Sequence, residues 1–112
     1  MNESDLTRLL DMRDAAREAL DFVAGRSRGD LSTDRMLLLA LCKSIEIIGE
    51  AASRVSSETR AIAPGIPWTE VVGMRNRLIH GYSQVNHDIV WNTTVKALPP
   101  LIEALEAVVR KG

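Results

Sequence analysis

The sequence predicts an all-α fold, a compact bundle of four to five helices. Three observations carry that reading. Apolar residues recur at three- and four-residue spacing along most of the chain, strand-period alternation is absent, and capping or breaking residues stand at the ends of the apolar stretches. With 112 residues, 46% hydrophobic and 26% charged, the chain has the size and mix of one folded domain spanning 1–112.

Each element follows from local chemistry. Ser4 is placed to cap a first helix whose stripe is Leu6, Leu9, Leu10, Ala16, Leu20 and Val23, with Gly25 as its stop. Residues 25–32 read as a polar loop. Ser32 or Thr33 then caps a longer helix reaching about Val55, apolar around much of its circumference. A helix apolar on more than one face is central, or contacts a partner chain as well as its own core. Pro64-Gly65-Ile66-Pro67 breaks the chain, and Pro67 suits the first turn of a third helix running to about His80, stopped by Gly81. Asn86 caps a fourth helix, with Asp88 in its first turn. Pro99-Pro100 must kink that helix or separate it from a last one carrying Leu101, Leu105 and Val108 inward.

Composition excludes several functions. The longest apolar run, Met36 to Cys42, is far too short to span a membrane, and neither end reads as a signal peptide, so a cytoplasmic location is expected. One cysteine, Cys42, makes neither an internal disulfide nor a zinc site. His80 and His87 are joined by no carboxylate cluster, so neither a metal nor another cofactor is expected. The net charge of −1 is unlike that of a generic nucleic-acid binder, but it is unevenly spread. Residues 1–34 carry net −3, whereas 52–82 carry net +2 through Arg54, Arg60, Arg75 and Arg77. Four aromatics (Phe22, Trp68, Tyr82, Trp91) are too few for base stacking, so any nucleic acid is held by its phosphates or its shape.

The informative stretch is Met74-Arg75-Asn76-Arg77-Leu78-Ile79-His80-Gly81-Tyr82. Asn76 and His80, four apart, share one helical face, and Arg75 lies about 100° round the axis from Asn76. An imidazole titrating near neutrality suits proton transfer to or from an RNA oxygen, and an arginine beside it suits the phosphate. Spacing alone leaves two readings of His80, a proton-transfer group and a helix-end residue bonded to backbone. Glu50 reads as a partner for Arg54 or Arg75, and Gly49 as a point of close helix approach.

Arg75, four residues, His80, one residue and Tyr82 match the R-x4-H-x-Y signature of HepT-like proteins in the HEPN superfamily. Ile48-Gly49-Glu50-Ala51-Ala52 resembles that family's second helix. Ile66-Pro67-Trp68 through Gly73-Met74-Arg75-Asn76 resembles its approach to the motif, and Val90-Trp91 with Leu98-Pro99 its final helices. The resemblance implies a homodimeric, HEPN-like, metal-independent endoribonuclease toxin acting on tRNA or mRNA. Its two motifs would line one cleft at the subunit interface. Arg75 and His80 match the catalytic pair, and Asn76 the polar residue after the arginine; Arg54, Arg77 and Glu50 are supporting candidates for RNA binding. The implied partner is a minimal nucleotidyltransferase (MNT) antitoxin, which would silence the toxin by adenylylating Tyr82. The same superfamily also supplies non-catalytic modules, so the alternative is a helical module that docks a nucleotidyltransferase.

Overall fold

A computed structural model describes residues 1–78 and 85–111. Among the described residues there is no strand, and no helix is long and apolar enough to cross a membrane. The first helix, α1 (Glu3–Val23), is capped by Asn2 rather than Ser4. The Asn2 side chain accepts the Asp5 N–H at 2.7 Å, which places Ser4 inside the first turn. Its buried stripe is Leu9, Met12, Ala15, Ala16, Ala19 and Val23, whereas Leu6, Leu10 and Leu20 lie at the stripe's margins. The small alanines let α1 lie close along α3. Ala24 ends the helix, and Gly25 follows with φ +72, a left-handed conformation that glycine adopts without strain.

The polar loop contains a short helical turn, α2 (Asp30–Thr33). Arg26 reaches Asp30 at 3.3 Å and Asp34 at 2.8 Å, and Asp30 accepts the Ser27 N–H at 2.8 Å. Asp34, not Ser32 or Thr33, caps α3 (Arg35–Ser53) by accepting from the Leu37 N–H at 3.1 Å. The physical reason is that Ser32 and Thr33 are already inside α2, while Asp34 has the extended backbone a cap requires. α3 is the central element, packed against α1 and α5. Leu41, Ile45 and Ile48 are fully buried on it, each contributing about 1.5–3 kcal/mol of burial free energy. Its outward face keeps Met36 at 83% exposure, with Leu39 and Ile47 also exposed.

A helical turn that the apolar pattern did not reveal follows, α4 (Ser57–Ala61), capped by Ser56. It is secured to α1 by a buried carboxylate. Asp5, 3% exposed, accepts the Ser56 N–H at 3.1 Å and the hydroxyls of Ser56 and Thr59 at 2.5 Å each. Arg60 closes the C-terminal end of α3, donating to the carbonyls of Ala52 and Val55, and lies 5.5 Å from the ring centre of Trp68. Trp68 in turn donates its indole N–H to the Ala63 carbonyl at 3.1 Å.

Trp68 opens α5 (Trp68–Leu78), with Pro67 one residue ahead of it. α5 crosses α3 at Gly49. A Cβ there would meet the Cβ of Arg75 and the Val71 carbonyl oxygen at 3.4 Å, and the Val72 carbonyl oxygen at 3.5 Å. Asn86 caps α6 (His87–Asn92), accepting from the N–H groups of Asp88 and Ile89. Arg28 pairs with Asp88, tying the loop after α1 to this helix start. The Pro99-Pro100 pair stands in the first turn of the last helix, which is set off from α6 as the sequence suggested, though by a π turn rather than a loop. A π-helical turn (Thr93–Ala97) joins α6 directly to α7 (Leu98–Lys111), and Leu98 donates to Thr93, five residues back. The wider turn absorbs the backbone change before two residues that have no N–H to donate.

Two predictions follow from these contacts. The Ser56 hydroxyl, then the Thr59 hydroxyl and the Ser56 N–H, hold the Asp5 carboxyl below its ordinary value. A depressed folded value means that the contribution is present above the unfolded pKa of about 3.9 and is lost as pH falls through the folded one. Thermal melts should therefore show stability dropping as pH is lowered beneath about 4, with Asp5→Asn less stable at neutral pH and its acid drop shallower. At Gly49, a methyl group meets ordinary contact distances and gains helix propensity, so Gly49→Ala should be neutral or stabilising by up to about 1 kcal/mol in urea unfolding. Gly49→Leu overfills the crossing and should cost about 1–3 kcal/mol.

Candidate active site

The close crossing at Gly49 brings the next residue of α3, Glu50, against α5. Glu50 Oε2 accepts from Arg75 Nη1 at 2.6 Å, and Glu50 Oε1 accepts from Arg54 Nη2 at 3.1 Å. The two partners that the sequence offered for Glu50 are thus both engaged, one through each oxygen. All three side chains are about half exposed (Arg75 43%, Glu50 45%, Arg54 56%), so the cluster lies at the surface, open to a ligand. Its net charge is +1. Arg75 and Arg77 occupy the last turn of α5, where cations complement the helix dipole.

Asn76 is exposed beside Arg75. With Gly49, Glu50, Ser53, Val72 and Arg75 it lines a small hollow of about 80 Å³. On the other side of the Glu50–Arg75 pair a larger open groove of about 300 Å³ runs between α1 and α3. Arg54 and Arg75 line it together with Arg8, Asp11, Lys43 and Glu46. Arg77 is exposed on the same helix as Arg75. His80 and Tyr82 lie outside the described residues, as does Ile79; Leu78, the last residue of α5, is buried in the core.

Arg60 belongs elsewhere. The sequence counts it in the basic window 52–82, but its guanidinium is bound to the carbonyls at the end of α3. Arg8 had no local signal. It is 67 positions from Arg75 and reaches the same groove only because α1 runs antiparallel to α3, with Asp5 bonded to Ser56. His87, the first residue of α6, is half-buried, its Nδ1 3.4 Å from the Ser32 hydroxyl. Cys42 is buried in the core, and burial pushes its thiol up, away from reactivity.

This arrangement can hold an anion. A carboxylate that takes one bond from each of two guanidiniums fixes their planes, and each guanidinium has five N–H donors in a fork suited to phosphate oxygens. Comparison with known proteins agrees with that chemistry. The family described as Ribonuclease HepT-like matches residues 12–108. A protein of Caldanaerobacter subterraneus subsp. tengcongensis named "Putative RNase TTE0752" is 38% identical over 92 residues, covering 82% of each chain. The "Probable ribonuclease HepT" of Thermococcus cleftensis is 31% identical over 101 residues, covering 90% of this chain and 92% of its own. "Putative RNase MJ1380" of Methanocaldococcus jannaschii is 29% identical over 100 residues, covering 89% of this chain and 92% of its own. No solved structure matches the chain. The chain belongs to the HepT-like ribonuclease family of HEPN type.

Proposed function

We propose that this protein is a single-domain, metal-independent endoribonuclease that cuts tRNA or mRNA with Arg75 and His80, in the cytoplasm. The observation that carries the reading is the Glu50–Arg75 pair at the Gly49 crossing, a surface arginine oriented by a carboxylate in a chain of this family. In this reaction the RNA 2′-oxygen attacks the adjacent phosphorus, and the 5′-oxygen leaves. The 2′-hydroxyl loses a proton and the leaving oxygen gains one, which is work for an acid–base pair. Arg75 holds the phosphate and stabilises the charge that grows on its oxygens. Asn76 borders the same hollow, and Arg54 and Arg77 are further contacts for the backbone.

One chain offers one motif histidine, whereas the reaction uses a base and an acid. A homodimer supplies two. The outward face of α3 supports that assembly. At 100° per residue, Met36, Leu39, Lys43, Ile47, Glu50 and Arg54 fall within an arc of about 80°. Met36, Leu39 and Ile47, with Lys43 among them, therefore lead directly into the charged cluster, and a second copy seated there would bring two clusters, each with the groove that Lys43 and Ile47 help to line, toward one cleft. Adenylylation of Tyr82 by a minimal nucleotidyltransferase antitoxin is the matching off switch. It adds bulk and negative charge two residues from His80, which repels an RNA backbone.

The test is cleavage of total tRNA and a labelled mRNA in EDTA, with intact-mass analysis of the same preparation. Cleavage is expected, falling by about 100-fold or more in His80→Ala and in Arg75→Ala. An unmodified protein that cuts neither RNA sinks the enzymatic reading and leaves a docking module for a nucleotidyltransferase. Mixed dimers with one His80→Ala subunit should lose nearly all activity; retention of about half would show that each motif works alone.

A further inference from the structure

The groove on the α1 side of the Glu50–Arg75 pair has a far wall that the motif does not account for. Arg8 stands on α1, one turn beyond Asp5. Asp5 is bonded to Ser56, which fixes the register of α1 against the end of α3 and sets Arg8 opposite the Ala51–Arg54 turn. Three arginines from three helices therefore border one groove of about 300 Å³, Arg8 from α1, Arg54 from α3 and Arg75 from α5.

Their pairing sets Arg8 apart from its neighbours on α1. Arg13 is paired with Asp14 and Arg17 with Glu106, whereas among the described residues Arg8 makes no ion pair within 4.0 Å. Arg54 and Arg75 each give Glu50 a single nitrogen, a one-point contact for groups built to make two. Asp11 and Glu46 also line the groove. With Lys43, which lines it too, they add −1 and leave the groove as a whole at +1, which disfavours a long backbone track. The three arginines with Glu50 sum to +2, matched in sign to a phosphodiester.

We propose that this end of the groove is a second phosphate subsite, in which Arg8 and Arg54 hold a phosphodiester flanking the one that Arg75 presents for cleavage. The inference rests on the ribonuclease reading and names part of its substrate path. Glu50 is a positioning residue within it, keeping the Arg54 and Arg75 guanidiniums side by side.

The experiment measures binding of a short mixed-sequence RNA carrying 2′-O-methyl groups throughout, which cannot be cut by 2′-oxygen attack, from about 50 to 200 mM salt. Arg8→Ala should weaken binding about tenfold at the lower salt and reduce the magnitude of the log–log salt slope by about 0.7, the value for one phosphate contact on a single strand. Arg8→Lys should restore the slope and only part of the affinity, since it keeps the charge and loses the fork. Arg13→Ala, on the same helix but outside the groove, should bind as the parent does, and thermal melts confirm that each variant is folded. If Arg8→Ala binds with parental affinity and slope, the subsite is wrong while the ribonuclease reading stands. Parental protein that binds this RNA, is weakened by Arg8→Ala and yet cuts no natural RNA keeps the subsite and removes the reaction. Failure of the parental protein to bind RNA removes both.

Discussion

The approach of α5 to α3 at Gly49 is the constraint on which the site depends. That position has room for a methyl group and nothing larger, because the backbone carbonyls of Val71 and Val72 come within one Cβ contact of α3. Helix separation then sets what the flanking residues can do. Glu50 is next in α3 and Arg75 is one turn further along α5, and at this distance their side chains meet at 2.6 Å without stretching across solvent. An exposed arginine otherwise samples many rotamers, and fixing it for a substrate has an entropic cost of order 1–2 kcal/mol. The carboxylate meets part of that cost during folding, so Arg75 is oriented before any RNA arrives.

α3 serves two environments because its sequence is apolar on more than one side. Leu41, Ile45 and Ile48 face the core, while Met36, Leu39 and Ile47 face outward and lead to Glu50 and Arg54. The same helix therefore determines the stability of the bundle and the position of the charged cluster. α1 contributes in a similar way from its N-terminal end. The Asp5 network is buried and far from Arg75 in sequence, but it fixes the offset between α1 and α3, and that offset places Arg8 at the groove. A change at Asp5 would act on the groove through register.

Much of this was legible in the sequence, where the signal was local. Gly25, Asn86 and the apolar spacing each act through residues within four positions, and they lie where chain-local chemistry puts them. Caps were harder where several candidates adjoin. Asn2 prevails over Ser4, and Asp34 over Ser32 and Thr33, because an aspartate or asparagine one residue outside the helix accepts an orphan N–H, whereas a serine inside the first turn has none to receive. α4 was hidden because it is five residues long and its only buried residue is Thr59, so it carries no apolar stripe. Its stability comes from Asp5, 51 and more positions away, and no window reading detects such a partner. The prolines at 99 and 100 read as a kink or a separation, and they stand in the first turn of α7, where a missing N–H costs least, directly after a π turn.

Charge was the least legible property, for a related reason. A window count treats every arginine as available, yet the fold assigns five of the eleven. Arg13, Arg17, Arg26 and Arg28 neutralise aspartates and glutamates, and Arg60 closes a helix end. The net charge of −1 is therefore a poor guide to what a ligand meets. What a phosphate meets at the α1–α3 groove is Arg8, Lys43, Arg54 and Arg75, with Glu50 between the last two and Asp11 and Glu46 on the same walls. An acidic protein can still present a locally positive groove, because at this place four cations outnumber three anions. On α1 the fold makes the selection along one helix, where Asp14 binds Arg13 while Arg8 and Asp11 face the groove. Such an arrangement favours a short, defined grip over general affinity for nucleic acid, because Asp11 and Glu46 line the same groove and oppose a longer backbone track.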